Sequence, residues 1–199
     1  MLDWLKNINK EYPDFWKVYL SKFDRRSPRF VALSTTTTGL DYKKDVILSI
    51  SAFGIVNDEV LIGDSYEIVL LQYVYNHDHQ LSNEFIVESK QAKSLEPEGI
   101  KKFVEFLGNA TLIGHRINFD VEMINEALER IHCGRLKNEA LDIEVMYRKW
   151  KDLNDDKHFT LPEINTLLKM PATDRNSSSE DAYAIALIFL KLKAKLGIK

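Results

Sequence analysis

Two aspartates stand where short segments lead into helical patterns. Asp120 follows the apolar run Leu112–Gly114, and Asp181 begins the last helical pattern after three serines. Carboxylates at the start of a helix stabilise its N-terminus, because the helix dipole favours negative charge there. Carboxylates that converge from separate elements can instead hold a divalent cation, since Mg²⁺ prefers hard oxygen ligands. The residues alone leave both roles open.

Three neutral polar side chains accompany these acids. Ser34 and Thr36 lie where the apolar run Phe30–Leu33 passes into a hydroxyl-rich segment. Asn176 precedes the last helical pattern. Serine and threonine hydroxyls carry no charge with which to balance a metal ion. An asparagine amide cannot accept a proton at neutral pH, so it cannot act as a general base.

The first of these segments resembles the opening of the DnaQ-like (DEDDh) 3′→5′ exonucleases, the proofreading, epsilon-like type. In that family a buried strand runs into Asp-Thr-Glu-Thr-Thr-Gly. Residues 30–40 read Phe-Val-Ala-Leu-Ser-Thr-Thr-Thr-Thr-Gly-Leu, with Ser34 at the Asp and Thr36 at the Glu. The resemblance covers residues 30–196, which is nearly the whole chain.

Two further segments are similar to the other motifs of that family. The run Gly-His-Arg-Ile-Asn-Phe-Asp resembles Gly-His-Asn-x-x-Phe-Asp; it keeps Asp120 and has Arg116 at the Asn. The run Asn-Ser-Ser-Ser-Glu-Asp-Ala resembles His-x-Ala-x-x-Asp-Ala; it keeps Asp181 and has Asn176 at the His. The three motifs therefore indicate the fold, but they lack some of the residues that the activity of the family requires.

The resemblance implies a site for two divalent metal ions, Mg²⁺ or Mn²⁺, and a histidine base. Asp120 and Asp181 remain, whereas Ser34, Thr36 and Asn176 are degenerate positions. We therefore expect at most one weakly bound divalent metal, held by the two aspartates. We expect an impaired or inactive domain that acts as a nucleic-acid-binding or regulatory module. Two alternatives stay open: an active exonuclease with an atypical one-metal site, and a partner-docking module without a nucleic-acid role.

The order of elements predicts an α/β layer fold, and the resemblance implies the ribonuclease H-like exonuclease fold. Its sheet would be mixed, with a three-strand antiparallel meander, parallel strands and flanking helices. The predicted strands are Phe30–Leu33, Val46–Val56, Tyr66–Gln72, Thr111–Ile113 and Ala140–Asp142. The predicted helices cover residues 97–107, 121–131, 143–150, 161–168 and 179–196, and residues 73–93 are expected to be looped.

Residues 1–28 are expected to form an N-terminal aromatic helical extension of the exonuclease-like domain, residues 29–199. Aromatic residues such as Phe15, Trp16 and Tyr19 recur there at helical spacing. Such a helix can cover the domain's own core, or it can dock a protein partner. The sequence leaves both interpretations open.

Composition limits the partners. The net charge of −3 gives no bulk electrostatic footprint for nucleic acid, so a single-stranded 3′ end or a nucleotide would need a local patch. Lys43, Lys44, Arg116 and Arg175 are the candidate cations for it. The single Cys133 excludes an internal disulfide. No apolar run approaches the roughly 20 residues of a membrane span, and no signal-peptide pattern opens the chain, so we expect a cytoplasmic protein with no membrane partner.

Overall fold

A six-stranded sheet with helices on both faces forms the described part of the molecule. The structure, a computed structural model, describes residues 11–72, 91–171 and 177–198. The strands are β1 (Phe30–Thr37), β2 (Ile47–Val56), β3 (Glu59–Leu71), β4 (Lys93–Leu95), β5 (Thr111–Gly114) and β6 (Ala140–Asp142). The helices are α1 (Asp14–Ser21), α2 (Glu96–Leu107), α3 (Ile117–Arg130), α4 (Ile143–Lys151), α5 (Leu161–Leu167) and α6 (Ser178–Leu196).

The strand order of the sheet is β4-β3-β2-β1-β5-β6. The first three strands form an antiparallel meander. β1, β5 and β6 are parallel to one another, and β4 is parallel to β3. The predicted mixed sheet, with a meander, parallel strands and flanking helices, is confirmed. Because β1, β5 and β6 run in the same direction, their carboxyl ends form one edge where the following helices begin.

The third strand is longer than predicted. It begins at Glu59 rather than at Tyr66. Asn57 and Asp58 have φ angles of 52° and 62°, in the left-handed region used by two-residue hairpin turns. This tight turn lets Val56 pair directly with Glu59, so the strand pairing continues almost to the tip of the hairpin.

The fourth strand was not predicted. Residues 73–93 were expected to be looped, and this was wrong at Lys93, where β4 begins. A strand of three residues shows no readable alternation, and its position depends on pairing with Val69 to Leu71 of β3. Residues 73–90 of the same segment lie outside the described residues.

Each face of the sheet covers its own hydrophobic core. Val31 and Leu33 of β1 face a core shared with α1, α2 and α3, whereas Ala32 faces a core shared with α4, α5 and α6. Side chains alternate in this way because a β-strand has a period of two. Trp16 and Tyr19 of α1 are 1% exposed and belong to the first core. These two aromatic side chains therefore pack on the domain itself, while the division of the chain at residue 28 stays a prediction.

The last helix, α6, packs across β1 and β2. Ser177 caps its N-terminus by accepting a hydrogen bond from the backbone N–H of Glu180. Gly197, with a φ of 64°, ends it in the left-handed conformation that glycine adopts without strain. None of the helices in the described ranges is long and apolar enough to cross a membrane.

Candidate functional site

The second half of β1 carries polar side chains toward both faces of the sheet. Because side chains alternate along a strand, Ser34 and Thr36 continue the face of Ala32, which α6 covers. Thr35 continues the face of Leu33, which α3 covers. The three polar residues are all partly buried. Thr35 therefore points to the opposite face of the sheet from Ser34 and Thr36, the two positions predicted to be degenerate.

Ser34 and Thr36 lie among other hydroxyl groups. In the pairing of β1 with β2, Ser34 is opposite Ser51 and Thr36 is opposite Ser49. Ser49 and Ser51 are fully buried, and their Oγ atoms lie 3.0 Å and 2.7 Å from the Oγ of Ser178, the first residue of α6. We call these five residues the hydroxyl cluster. The sequence analysis missed Ser49, Ser51 and Ser178; two serines at alternate positions of an apolar strand were the available signal.

Asp120 lies in the first turn of α3 and is 8% exposed. One of its carboxylate oxygens, Oδ1, accepts hydrogen bonds from the Thr35 hydroxyl at 2.5 Å and from the Thr35 backbone N–H at 3.2 Å. Burial raises the pKa of Asp120 to about 7, although both bonds from Thr35 oppose this and the nearby Asp142 adds to it. The structure therefore brings Asp120 to β1, at the residue between Ser34 and Thr36.

Asp181 lies in the first turn of α6, three residues after Ser178. Helix residues three apart share a face, and Ser178 contacts the buried serines of β2, so Asp181 lies on the side of α6 nearest the hydroxyl cluster. Glu180, its neighbour, lines a separate surface cavity together with Phe53 and Tyr183. Glu180 is therefore placed at that cavity.

Asn176, the remaining predicted site residue, lies outside the described residues, as does Arg175. The described part of α6 begins next to them, at its capping residue Ser177. The expected position of Asn176 at the edge of the site therefore stays a prediction. The roles of Asp120 and Asp181 as metal ligands stay predictions as well.

The Gly-His-Arg segment joins β5 to α3 through a close turn. A Cβ atom on Gly114 would lie 2.5 Å from Cδ1 of Ile117, so a larger residue there would require the Ile117 side chain to shift. Arg116 adopts a left-handed φ of 56°. Asparagine, the residue of the family motif, is the side chain that tolerates this conformation best after glycine. The His115 ring nitrogen Nε2 lies 2.8 Å from the backbone oxygen of Phe159, which is a structural contact.

The residues at the predicted site do not fit a centre of two divalent metal ions. Across the described ranges, no group of three or more histidine, cysteine, aspartate or glutamate side chains is arranged to hold a metal. Ser34 and Thr36 supply neutral oxygens, and one oxygen of Asp120 is already bonded to Thr35. Two dications about 4 Å apart repel each other strongly unless several carboxylates lie between and around them.

Comparison with known proteins agrees with this arrangement of elements. Residues 35–189 match the RNase_T family, described as exonuclease. A PolC-type DNA polymerase III from Caldanaerobacter subterraneus subsp. tengcongensis is 32% identical over 176 residues, which are 85% of this chain and 12% of the polymerase. The PolC-type DNA polymerase III of Staphylococcus aureus is 25% identical over 174 residues, 82% of this chain and 11% of its own length. The chain thus spans about an eighth of these relatives.

Solved structures share the fold at lower identity. Escherichia coli exonuclease I in complex with a dT13 oligonucleotide has a TM-score of 0.69 and 15% identity, covering 86% of this chain and 42% of its own. A complex of exonuclease I with SSB-Ct has a TM-score of 0.68 and 15% identity, covering 87% and 42%. The predicted ribonuclease H-like exonuclease fold is confirmed. With its RNase_T match and its similarity to the PolC-type polymerases, the chain belongs to the DnaQ-like 3′→5′ exonuclease family.

Proposed function

We propose that this chain is a catalytically impaired member of the exonuclease family that binds single-stranded nucleic acid, or a nucleotide, without hydrolysing it efficiently. One observation carries the proposal. The positions that hold the first two acids of the family motif are Ser34 and Thr36, and in the pairing of β1 with β2 they stand opposite Ser51 and Ser49. This part of the site is neutral where the chemistry of the family requires negative charge.

The charge balance supports impaired catalysis. At an effective dielectric constant of about 20, a carboxylate near 4 Å attracts a metal ion by several kcal/mol before desolvation. Serine and threonine hydroxyls supply none of this attraction. Because the pKa of Asp120 is raised to about 7, that acid is only partly ionised at neutral pH. We propose that Asp120 and Asp181 hold at most one divalent ion, Mg²⁺ or Mn²⁺, weakly.

The predicted loss of the general base also supports impaired catalysis. A positioned general base contributes roughly 10²–10⁴ in rate, and Asn176 stands at the motif position of the histidine base. An amide has no lone pair basic enough to take a proton from water at neutral pH. The loss of charge and the loss of a base are separate defects, and either would slow hydrolysis.

The family context supports nucleic acid as the ligand. Exonuclease I, which shares the fold, is known in complex with a dT13 oligonucleotide and in a zinc-bound form with single-stranded DNA. We propose that the present chain keeps a cleft for such a strand at the carboxyl ends of β1 and β5. A regulatory role, in which bound strand or nucleotide is sensed rather than cut, follows from the same geometry.

The proposal is tested with the purified chain and a 5′-labelled single-stranded oligonucleotide. We expect the strand to stay intact in Mg²⁺ or Mn²⁺ while fluorescence anisotropy reports binding, with exonuclease I as the active control. Digestion from the 3′ end that disappears in Asp120→Asn would show instead an active enzyme with an atypical one-metal site. Neither digestion nor binding would favour a partner-docking module without a nucleic-acid role.

A further inference from the structure

Arg116 occupies the edge of the sheet where a ligand of this fold class is expected. It lies between Gly114, the last residue of β5, and Ile117, the first residue of α3. It precedes Asp120 by four residues, about one helical turn, and Asp120 contacts β1. In open α/β sheets, ligands bind in the crevice at the carboxyl ends of the strands. Arg116 therefore stands at the mouth of the proposed cleft.

The guanidinium of Arg116 is available to a ligand. Its side chain is 59% exposed, and its Nε lies 3.6 Å from Oε2 of Glu144. Within the described ranges, Arg116 makes this ion pair and no side-chain hydrogen bond. The pair restrains the guanidinium without using its hydrogen-bond donors, so they can still be directed at an anion.

Glu144 is fixed and buried, so it can restrain Arg116. The Glu144 side chain is 6% exposed, and its Oε1 accepts the backbone N–H of Phe159 at 2.9 Å and Nδ1 of His158 at 3.1 Å. Nη1 of the partly buried Arg148 lies 3.9 Å from Oε1 of Glu144, and Nε2 of His115 lies 3.9 Å from Oε2. These donors, mainly the Phe159 N–H and His158, outweigh burial and hold the pKa of Glu144 below its usual value. The carboxylate is thus ionised and shielded from the solvent.

At this edge hydrogen bonds hold Glu144 and Asp142 in the interior, whereas the side chain of Arg116 is exposed. Asp142, the other acid, is partly buried and accepts the backbone N–H groups of Ile117 and Glu144 at 3.1 Å and 2.8 Å. The Arg116 side chain is exposed here, and so is the imidazole of His158, which is 68% exposed. The N-termini of α3 and α4 also meet at this edge and add partial positive charge.

We infer that Arg116 gives the proposed cleft a direct contact to a backbone phosphate of single-stranded nucleic acid, independent of any metal ion. The inference rests on the proposed function and adds the residue through which the strand is held. A guanidinium matches a phosphate with two parallel hydrogen bonds, which an asparagine at this position cannot do. The neutral hydroxyl cluster is compatible with phosphate binding at this edge. Carboxylates without a bound metal ion would repel the phosphate, whereas neutral hydroxyl groups do not.

The test compares four proteins, the wild type and three variants, in a binding assay run with EDTA and, in parallel, with Mg²⁺. Arg116→Asn removes the charge and keeps a residue that tolerates the left-handed φ, so the fold should be preserved. Arg135→Ala is the matched control, since Arg135 is 63% exposed and lies beyond the C-terminal end of α3. The dissociation constant for a fluorescein-labelled thymidine oligonucleotide is measured at a series of salt concentrations.

We expect Arg116→Asn to weaken binding about fivefold at 0.1 M salt and to lower the slope of log Kd against log salt by about 0.7, the value of one single-strand phosphate contact. Arg116→Lys should keep the slope, and Arg135→Ala should match the wild type. Wild-type binding that Arg116→Asn leaves unchanged, or that EDTA abolishes, would overturn this inference alone. Absence of wild-type binding would overturn the proposed function together with it.

Discussion

Thr35 donates two hydrogen bonds to the same carboxylate oxygen of Asp120, one from its hydroxyl and one from its backbone N–H. Both bonds lower the pKa of Asp120, but burial outweighs them and raises it to about 7. The acid that the second family motif keeps is therefore a buried group near half-ionisation at neutral pH. It is held by a residue that the motif comparison did not single out.

The raised pKa of Asp120 predicts how stability changes with pH. A group whose pKa is higher in the folded state stabilises the fold in its protonated form. That contribution is complete below the unfolded value of 3.8 and is lost as pH rises through about 7. Relative to Asp120→Asn, we therefore expect the wild type to gain unfolding free energy as pH falls from about 8 to about 4. Urea denaturation at intervals of pH measures this difference.

A second variant tests how the Thr35 hydroxyl affects the pKa of Asp120 and thus the pH dependence of stability. Thr35→Val removes the hydroxyl that lowers the pKa of Asp120, so it should raise the pKa further and move the loss of stability to higher pH. Thr37→Val is the control, because the Thr37 hydroxyl bonds to the backbone oxygen of Gly39 instead. A difference between wild type and Asp120→Asn that stays constant over the whole pH range would refute the raised pKa.

The hydroxyl cluster should contribute to stability through Ser178. Ser178→Ala leaves the fully buried hydroxyls of Ser49 and Ser51 without the partner that both contact. We expect a loss of about 1–3 kcal/mol in the free energy of unfolding, because a buried unsatisfied hydroxyl keeps its desolvation cost. Ser21→Ala, at an exposed position, should cost less than about 0.5 kcal/mol. Equal losses in the two variants would mean that the cluster is not a stabilising network.

An ion pair between the buried Glu96 and the exposed Arg130 should hold the start of α2 to the end of α3. Glu96 is 7% exposed and accepts hydrogen bonds from Nε and an Nη of Arg130 at 2.9 Å and 2.7 Å. Glu96→Gln should reduce the free energy of unfolding by about 1–2 kcal/mol, a modest loss because the Arg130 side chain is 42% exposed and screened.

The same helix supplies the control for that prediction. Glu98 is 64% exposed and lies 3.9 Å from Lys102, so Glu98→Gln should change stability by less than about 0.5 kcal/mol. Chemical denaturation of both variants at neutral pH compares them directly. If Glu98→Gln proved as destabilising as Glu96→Gln, the pair of Glu96 with Arg130 would have no special weight.

Restoring the degenerate positions should restore chemistry. The triple variant Ser34→Asp, Thr36→Glu and Asn176→His supplies the charges and the proton acceptor that hydrolysis with two metal ions requires. We expect it to shorten a 5′-labelled single strand from the 3′ end in Mg²⁺ or Mn²⁺. Asn176→His alone should leave the strand intact, since a base without a metal-activated water has nothing to deprotonate.

The added negative charge should also make the triple variant, called the revertant below, less stable than the wild type in the absence of metal. The two added carboxylates lie on the same face of β1 and repel each other, so the unfolding temperature should fall without metal and recover with excess Mg²⁺, which binds the native state. A folded revertant that stays inert would mean that the cleft no longer accepts a 3′ end. That result would count against a degraded catalyst as the origin of this site.

Local sequence patterns and motifs were enough to predict the layers of this protein and the family to which it belongs. Period-two and helical patterns predicted the meander and most helices, because the spacing of apolar residues within a segment indicates which of its faces is buried. The short β4 was not predicted from these patterns, since its position depends on pairing with β3, which is distant in the chain. Likewise, the turn at Asn57 and Asp58 extended β3 beyond its apolar pattern.

The contacts among the side chains at the site could be identified only once the chain was folded. The sequence identified Ser34, Thr36, Asp120 and Asp181 from their places in motifs. The contact of Asp120 with Thr35, the hydroxyl cluster and the burial of Glu144 arise between residues distant in the chain. The pKa of a carboxyl group depends on such neighbours and on exclusion of water, and neither is encoded at a single position. The motif thus located Asp120, and the packing around it raised its pKa.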